Sequence, residues 1–194
     1  PYVQTQHNAR DGSLAGVEVL ARWEHPTEGT LLPHRFMSIA RQLGLEAKLD
    51  ETIFQQAVAS VAEMARDGVI VPRIAFNVSA ARISDPGFLA SARDAIPTNR
   101  DRFAFEILES ISYEDSGPGL IFAVDALKDL GFQIDIDDFG SGHASINSVL
   151  NLEPHVLKID KSITRPLGDS DRAARMVASI IELARALDAK VLAE

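Results

Sequence analysis

The sequence predicts an α/β protein of the (β/α)8, TIM-like barrel type with an antiparallel first strand, C-terminally incomplete in this chain. From residue 73 onward, strand-like apolar runs alternate with helix-like segments, which calls for a parallel sheet covered by helices. Four short apolar runs stop on an acidic or amide residue: Gly16-Val17-Glu18, Ile74-Ala75-Phe76-Asn77, Phe103-Ala104-Phe105-Glu106 and Ile134-Asp135-Ile136-Asp137-Asp138. No glycine-rich phosphate loop of the kind an open doubly wound sheet carries is present. Chemistry spread over many strand ends suits a barrel, whose sites are built on the carboxyl rim.

The elements follow in order. Residues 2–6 and 16–23 flank the turn Asn8-Ala9-Arg10-Asp11-Gly12 and predict a hairpin, hence two antiparallel strands at the start. Pro33 to Leu43 reads as a helix with proline in its first turn and Gly44 as its stop, and Asp50 to Asp67 as a second with Ile53, Phe54, Ala57, Val58, Val61 and Met64 on one face. Strand 73–78, a short helix near 86–95, strand 103–108, helix 118–130 ending at Gly131 and strand 132–137 come next. A helical turn near 144–150, strand 156–159, helix 171–187 and strand 190–193 complete the chain.

Composition narrows the function. With 194 residues, 46% of them hydrophobic, the chain is sized for one substantial domain, residues 1–194. A net charge of −9 disfavours a nucleic-acid duplex or an anionic membrane as the main partner, so an anionic ligand needs a local site or metal ions. There is no cysteine, which excludes disulfides and thiolate metal sites and fits a cytoplasmic setting. No apolar run approaches the roughly 20 residues of a membrane span, so no direct insertion by this segment is expected. The opening Pro1-Tyr2-Val3-Gln4 enters a strand with no initiator Met, which reads as a domain cut from a longer protein.

A carboxylate at a strand end is most often a helix cap or turn residue. Several in register are a different matter, above all the adjacent Asp137 and Asp138 before Phe139-Gly140-Ser141-Gly142. Two neighbouring anions repel unless a cation or hydrogen-bond donors offset them, so the pattern points to a metal site.

Six separated blocks then carry a resemblance. Glu18-Val19-Leu20-Ala21-Arg22-Trp23 with His25-Pro26, Asn77-Val78-Ser79, Glu106-Ile107-Leu108-Glu109-Ser110, Asp137-Asp138-Phe139-Gly140-Ser141-Gly142, Lys158-Ile159-Asp160 and Ala193-Glu194 resemble, in order, the motifs of the EAL domain family. That family comprises bacterial phosphodiesterases that hydrolyse cyclic di-GMP to linear pGpG with two Mg²⁺ or Mn²⁺ ions. The resemblance implies Glu18, Asn77, Glu106 and Asp137 as ligands to one metal, with Asp137 bridging and Asp138 reaching the second. Hard oxygen donors suit both ions, and a pair of ions activates water and stabilises charge at phosphorus. It implies Lys158 as the cation that orients the attacking water or neutralises the phosphorane, and Glu194 as base or outer ligand. Glu18 and Asp137 count among the catalytic residues on the same basis.

For substrate, the resemblance implies Arg22 on a phosphate, with Gln4, Leu20 and Asp160 also on the binding side, and Glu109 as support for the loop after Asp138. Gln4 is the weakest match, because Thr5-Gln6 departs from the family's usual Pro-Ile. The signature alanine is replaced by Val19, whose side chain points away from the face of Glu18. His143 stands where the family often has Tyr and reads as a loop residue rather than a metal ligand. The family also implies a homodimer through the segment around 140–150, and attached sensory or diguanylate cyclase (GGDEF) domains.

Members that lack intact ligands act as cyclic di-GMP receptors or protein-interaction modules; here every ligand position that can be checked is filled, which favours an enzyme. An unrelated metal-dependent barrel, such as an aldolase or enolase relative, would explain the carboxylates but not Asn77, Lys158 and the motif order together. The chain stops at Glu194, on the penultimate strand by this count, which leads to the expectation that residues 1–194 alone are poorly soluble and inactive.

Overall fold

The computed structural model describes residues 1–110, 113–142 and 146–194, with side chains excluded for 113–118 and 146–148, so His143 lies outside the described residues. The chain divides into two compact units, Pro1–Ala104 and Phe105–Glu194.

In the first unit, β1 (Tyr2–His7) pairs antiparallel with β2 (Leu14–Leu20), placing Tyr2 opposite Leu20 and Gln4 opposite Glu18. The expected hairpin is therefore present. Its second strand stops at Leu20 rather than 23, because β3 (Trp23–His25) turns away to pair with β4 (Gly29–Leu31). The helices α1 (Pro33–Gln42) and α2 (Glu46–Arg66) follow, α1 with proline in its first turn and Gly44 beyond it at φ +64°. α2 starts four residues before the expected Asp50, whose carboxylate is used elsewhere and accepts from the Ser79 N–H at 2.9 Å.

β5 (Ile74–Asn77) then pairs parallel with β2, Glu18 lying opposite Ala75. A Cβ on Gly16 would stand 2.9 Å from the Arg73 carbonyl, so a side chain there would push the two segments apart. α3 (Ala80–Ile83), capped by Ser79, escaped the sequence reading because one turn carries no periodicity; α4 (Phe88–Ala95) matches the helix expected near 86–95. Phe54 meets Phe76 edge-on at 5.0 Å, and Phe76 stacks on Phe103 at 6.2 Å, which anchors α2 to the sheet.

Apart from its first two residues, β6 (Phe103–Leu108) opens the second unit, followed by α5 (Tyr113–Asp129), β7 (Gln133–Phe139), α6 (Ile146–Leu152), β8 (Val156–Ile159), α7 (Lys161–Thr164), α8 (Asp171–Ala186) and β9 (Lys190–Ala193). Its strand order is β6-β7-β8-β9, with β7–β8 and β8–β9 parallel. Ile134, Leu157 and Ile159 are fully buried, which is why these strands read as continuous apolar runs. The mixed α/β class with an antiparallel first pair is borne out. Among the described residues, no helix is long and apolar enough to cross a membrane.

Candidate metal centre and active site

The second unit builds its acidic cluster on a break in the sheet. β7 and β8 pair regularly at Ile136↔Leu157 and resume at Phe139↔Ile159, so Asp137 and Asp138 together face the single residue Lys158. This bulge is what puts neighbouring aspartates to common use, since regular alternation would send them to opposite faces. Asp138 takes up the extra residue at φ +55°, a left-handed conformation that Asp tolerates better than most side chains. Its backbone N–H donates to Asp137 Oδ1 at 3.0 Å.

Lys158 is 1% exposed, and its ammonium lies 2.9 Å from Asp137, 3.0 Å from Glu106 and 3.0 Å from Glu194. Glu106 is as deeply buried as its partner. Carboxylate oxygens of Asp137, Asp138 and Glu194 lie within 4.8 Å of one another. Burial first, then the charges of Asp137 and Asp160, push the Asp138 carboxyl above its ordinary range. Glu106, Asp137, Asp138 and Glu194 thus set four carboxylates against the ammonium of Lys158, with Asp160 beside Asp138. Hard oxygen donors with an excess of negative charge fit divalent Mg²⁺ or Mn²⁺.

The loop after β7 is held by Glu109, which accepts from the N–H of Gly140 at 2.8 Å and from the N–H and hydroxyl of Ser141 at 3.0 and 3.1 Å. Gly140 sits at φ +91°, and a Cβ there would collide with Ile163. Asp160 caps α7, accepting from the Ser162 N–H at 2.9 Å; the Ser162 hydrogen bonds hold its carboxyl below the usual range. Asp160 also interacts with Asp138.

In the first unit, Asn77 Nδ2 donates to Glu18 Oε1 at 2.8 Å, so the tips of β5 and β2 converge. Gln4 is exposed and shares a register position with Glu18. The Arg22 guanidinium donates to the Ala21 carbonyl at 2.6 Å and lies 5.8 Å over the Tyr2 ring, leaving it at the same end as Leu20.

Each unit thus brings together its own share of the expected residues: Glu18 and Asn77 in one, Glu106, Asp137, Asp138, Lys158, Asp160 and Glu194 in the other. Two carboxylates were passed over in the sequence. Asp135 is fully buried, and its spacing of two from Asp137 on one strand was the available signal. Asp50 stood in plain view on a helix, with nothing local to show that it reaches Ser79.

A profile for the EAL domain matches residues 1–194. The chain belongs to the EAL domain family. This EAL chain is 33% identical over 190 residues to the bifunctional diguanylate cyclase/cyclic di-GMP phosphodiesterase MucR of Pseudomonas aeruginosa, covering 96% of itself and 27% of that relative. It is 30% identical over 200 residues to the probable cyclic di-GMP phosphodiesterase PdeG of Escherichia coli, covering 100% of itself and 39% of the relative. The EAL chain therefore spans well under half the length of these curated relatives. Among solved structures, the PaMucR phosphodiesterase in complex with c-di-GMP matches with a TM-score of 0.88 at 30% identity, over 98% of this chain and 78% of that one. That likeness bears out the barrel-type fold class.

Proposed function

We propose that this EAL domain, residues 1–194 taken as one domain, hydrolyses one phosphodiester bond of cyclic di-GMP to give linear pGpG in a two-metal reaction. The observation that carries this reading is the buried Lys158 ringed by Glu106, Asp137 and Glu194 beside a bulge that presents Asp138. One ammonium leaves the carboxylates around it with an excess of negative charge, which a divalent ion would offset.

Glu18, Asn77, Glu106 and Asp137 would hold one divalent ion and Asp137 with Asp138 the second; the assignment of Glu18 and Asn77 to this set rests on their match to the family's motifs. When bound, such ions supply an activated water and offset the charge that develops at phosphorus. Lys158 brings a desolvated ammonium with three N–H donors to that same charge, where a preorganised cation is worth more than in water. Glu194 takes the proton of the attacking water. Arg22 engages a phosphate, with Gln4, Leu20 and Asp160 on the substrate side, and Glu109 keeps the Gly140–Ser141 turn in place.

A dimer and attached sensory or GGDEF domains belong to the same proposal, as does a cytoplasmic setting. The test is turnover of cyclic di-GMP by the intact protein with Mg²⁺ or Mn²⁺, followed by chromatography of the product. Tight binding of cyclic di-GMP with no pGpG formed would replace the enzyme by a receptor.

A further inference from the structure

We infer that Asp50 is a positioning residue for the metal ligand Asn77. The inference rests on the metal-site reading above. Asp50 lies on α2, 27 positions before Asn77 in sequence, yet its Oδ2 accepts from the Ser79 backbone N–H at 2.9 Å. Ser79 is the N-cap of α3, and its hydroxyl accepts from the Arg82 N–H at 3.2 Å. The cap residue therefore has its backbone donor tied to α2 and its side chain tied to α3.

Asn77 stands two residues before that anchored point, at the tip of β5, with its amide directed onto Glu18 Oε1 at 2.8 Å. A strand end followed by a one-turn helix has little stiffness of its own. The rigidity has to come from α2, a 21-residue helix locked to the sheet by the Phe54–Phe76 contact. A second bond between the same elements adds to it: Arg82, 5% exposed, reaches Glu51, the residue after Asp50, and Asp85 at 3.1 Å. Asp50 and Glu51 together fasten α3 to α2, and of the two it is Asp50 that holds the residue nearest Asn77.

The carboxylate is an awkward choice for mere stability. Burial pushes its carboxyl above the ordinary range, ahead of the Ser79 hydrogen bonds that pull it down. An apolar residue on α2 would avoid that cost but would leave the Ser79 N–H without this acceptor and the turn free to shift. Groups that orient a ligand typically change metal affinity by about 10–100-fold when removed.

The experiment compares wild type, Asp50→Ala and Asp50→Asn in the intact protein, with Ala57→Gly as a control that loosens α2 away from the turn. Mn²⁺ binding is followed by titration calorimetry, and the Asn77 side-chain amide by NMR with asparagine labelling in the metal-free state. Asp50→Ala is expected to weaken Mn²⁺ binding about tenfold, to shift the Asn77 amide, and to raise the metal concentration for half-maximal turnover more than it lowers kcat. Asp50→Asn, which keeps an acceptor for Ser79, should restore both readouts. Ala57→Gly should lower the melting temperature and move neither.

Unchanged Mn²⁺ affinity and an unmoved Asn77 amide in Asp50→Ala would overturn the inference while leaving the metal site standing. If wild type itself binds no Mn²⁺, the metal reading falls, and the Asn77 amide alone then decides whether Asp50 positions it. A shift of both readouts in Ala57→Gly equal to that in Asp50→Ala would reduce Asp50 to a structural residue and overturn the inference as well.

Discussion

The tips of β2 and β5 and the tips of β7 and β8 solve the same problem in opposite ways. In the first unit the strands run in unbroken register, Glu18 opposite Ala75, and the carboxylate is satisfied by a neutral amide at 2.8 Å. In the second unit the register breaks, a left-handed aspartate fills the gap, and an ammonium sits among three carboxylates. Within its own unit, the first arrangement is a hydrogen bond between a carboxylate and a neutral amide. The second stores like charges at close range, which cations, hydrogen-bond donors or protonation must offset. Charge density is what separates the two: a neutral amide meets the carboxylate in one unit, and an ammonium is needed among the carboxylates of the other.

The most severe way to break the contrast is to withdraw the cations. A chelator should reduce turnover to background in the intact protein, Mg²⁺ or Mn²⁺ should restore it, and Ca²⁺ should bind without restoring it, because its longer and looser coordination misplaces the water. Undiminished turnover in chelator would end the two-metal reading.

Next comes Lys158→Ala, which should lower kcat by about 10²–10³ while cyclic di-GMP affinity changes little, since a cation acting on developing charge matters mainly at the transition state. Equal losses in kcat and affinity would make Lys158 a ground-state phosphate contact. The same variant leaves buried carboxylates without their ammonium, so its metal-free melting temperature should fall as well.

Asn77→Ala tests the quieter half. Removing the proposed neutral ligand should weaken Mn²⁺ binding by at least the roughly tenfold expected of Asp50→Ala, with kcat at saturating metal mostly retained. A loss as deep as that of Lys158→Ala would erase the distinction between the two regions. Gly140→Ala should destabilise the protein by about 2 kcal/mol, read as a melting shift of about 4–8 °C, because its φ is left-handed and Ile163 fills the space.

The smallest effect concerns Asp50. Its folded carboxyl titrates above the ordinary value of 3.8, so the folded state holds the proton more firmly and stability falls as pH rises from that value through the raised one. Asp50→Asn should therefore melt above wild type at neutral pH, with the gain vanishing below about pH 4. A gain that grew on acidification would reverse the sign and refute the assignment.

What was legible in the sequence follows the same divide. Regular strands announce themselves through apolar runs, so strands 156–159 and 190–193 fall where they were read, and 103–108 likewise. The twin aspartates signalled a site, but not the bulge that makes both usable, since one extra residue in a strand has no periodic signature. The hairpin β3–β4 and α3 were lost for a related reason: three or four residues are too few to show a period. Among the proposed site residues, those on strand tips stand out by local pattern. Asp50 does not, because its contact with Ser79 is one that only folding creates.

The bulge also separates the fate of the fold from the fate of the chemistry. Loss of Asp138 by a one-residue deletion would let Phe139 follow Asp137 directly, and the ladder from Ile136↔Leu157 to Phe139↔Ile159 would close without a gap. Such a chain would shed a left-handed residue and a crowded charge, both of which weigh against the folded state. Mutation can thus silence this site while making the sheet more regular, and a lineage that drifted that way would keep a sound scaffold available for other uses.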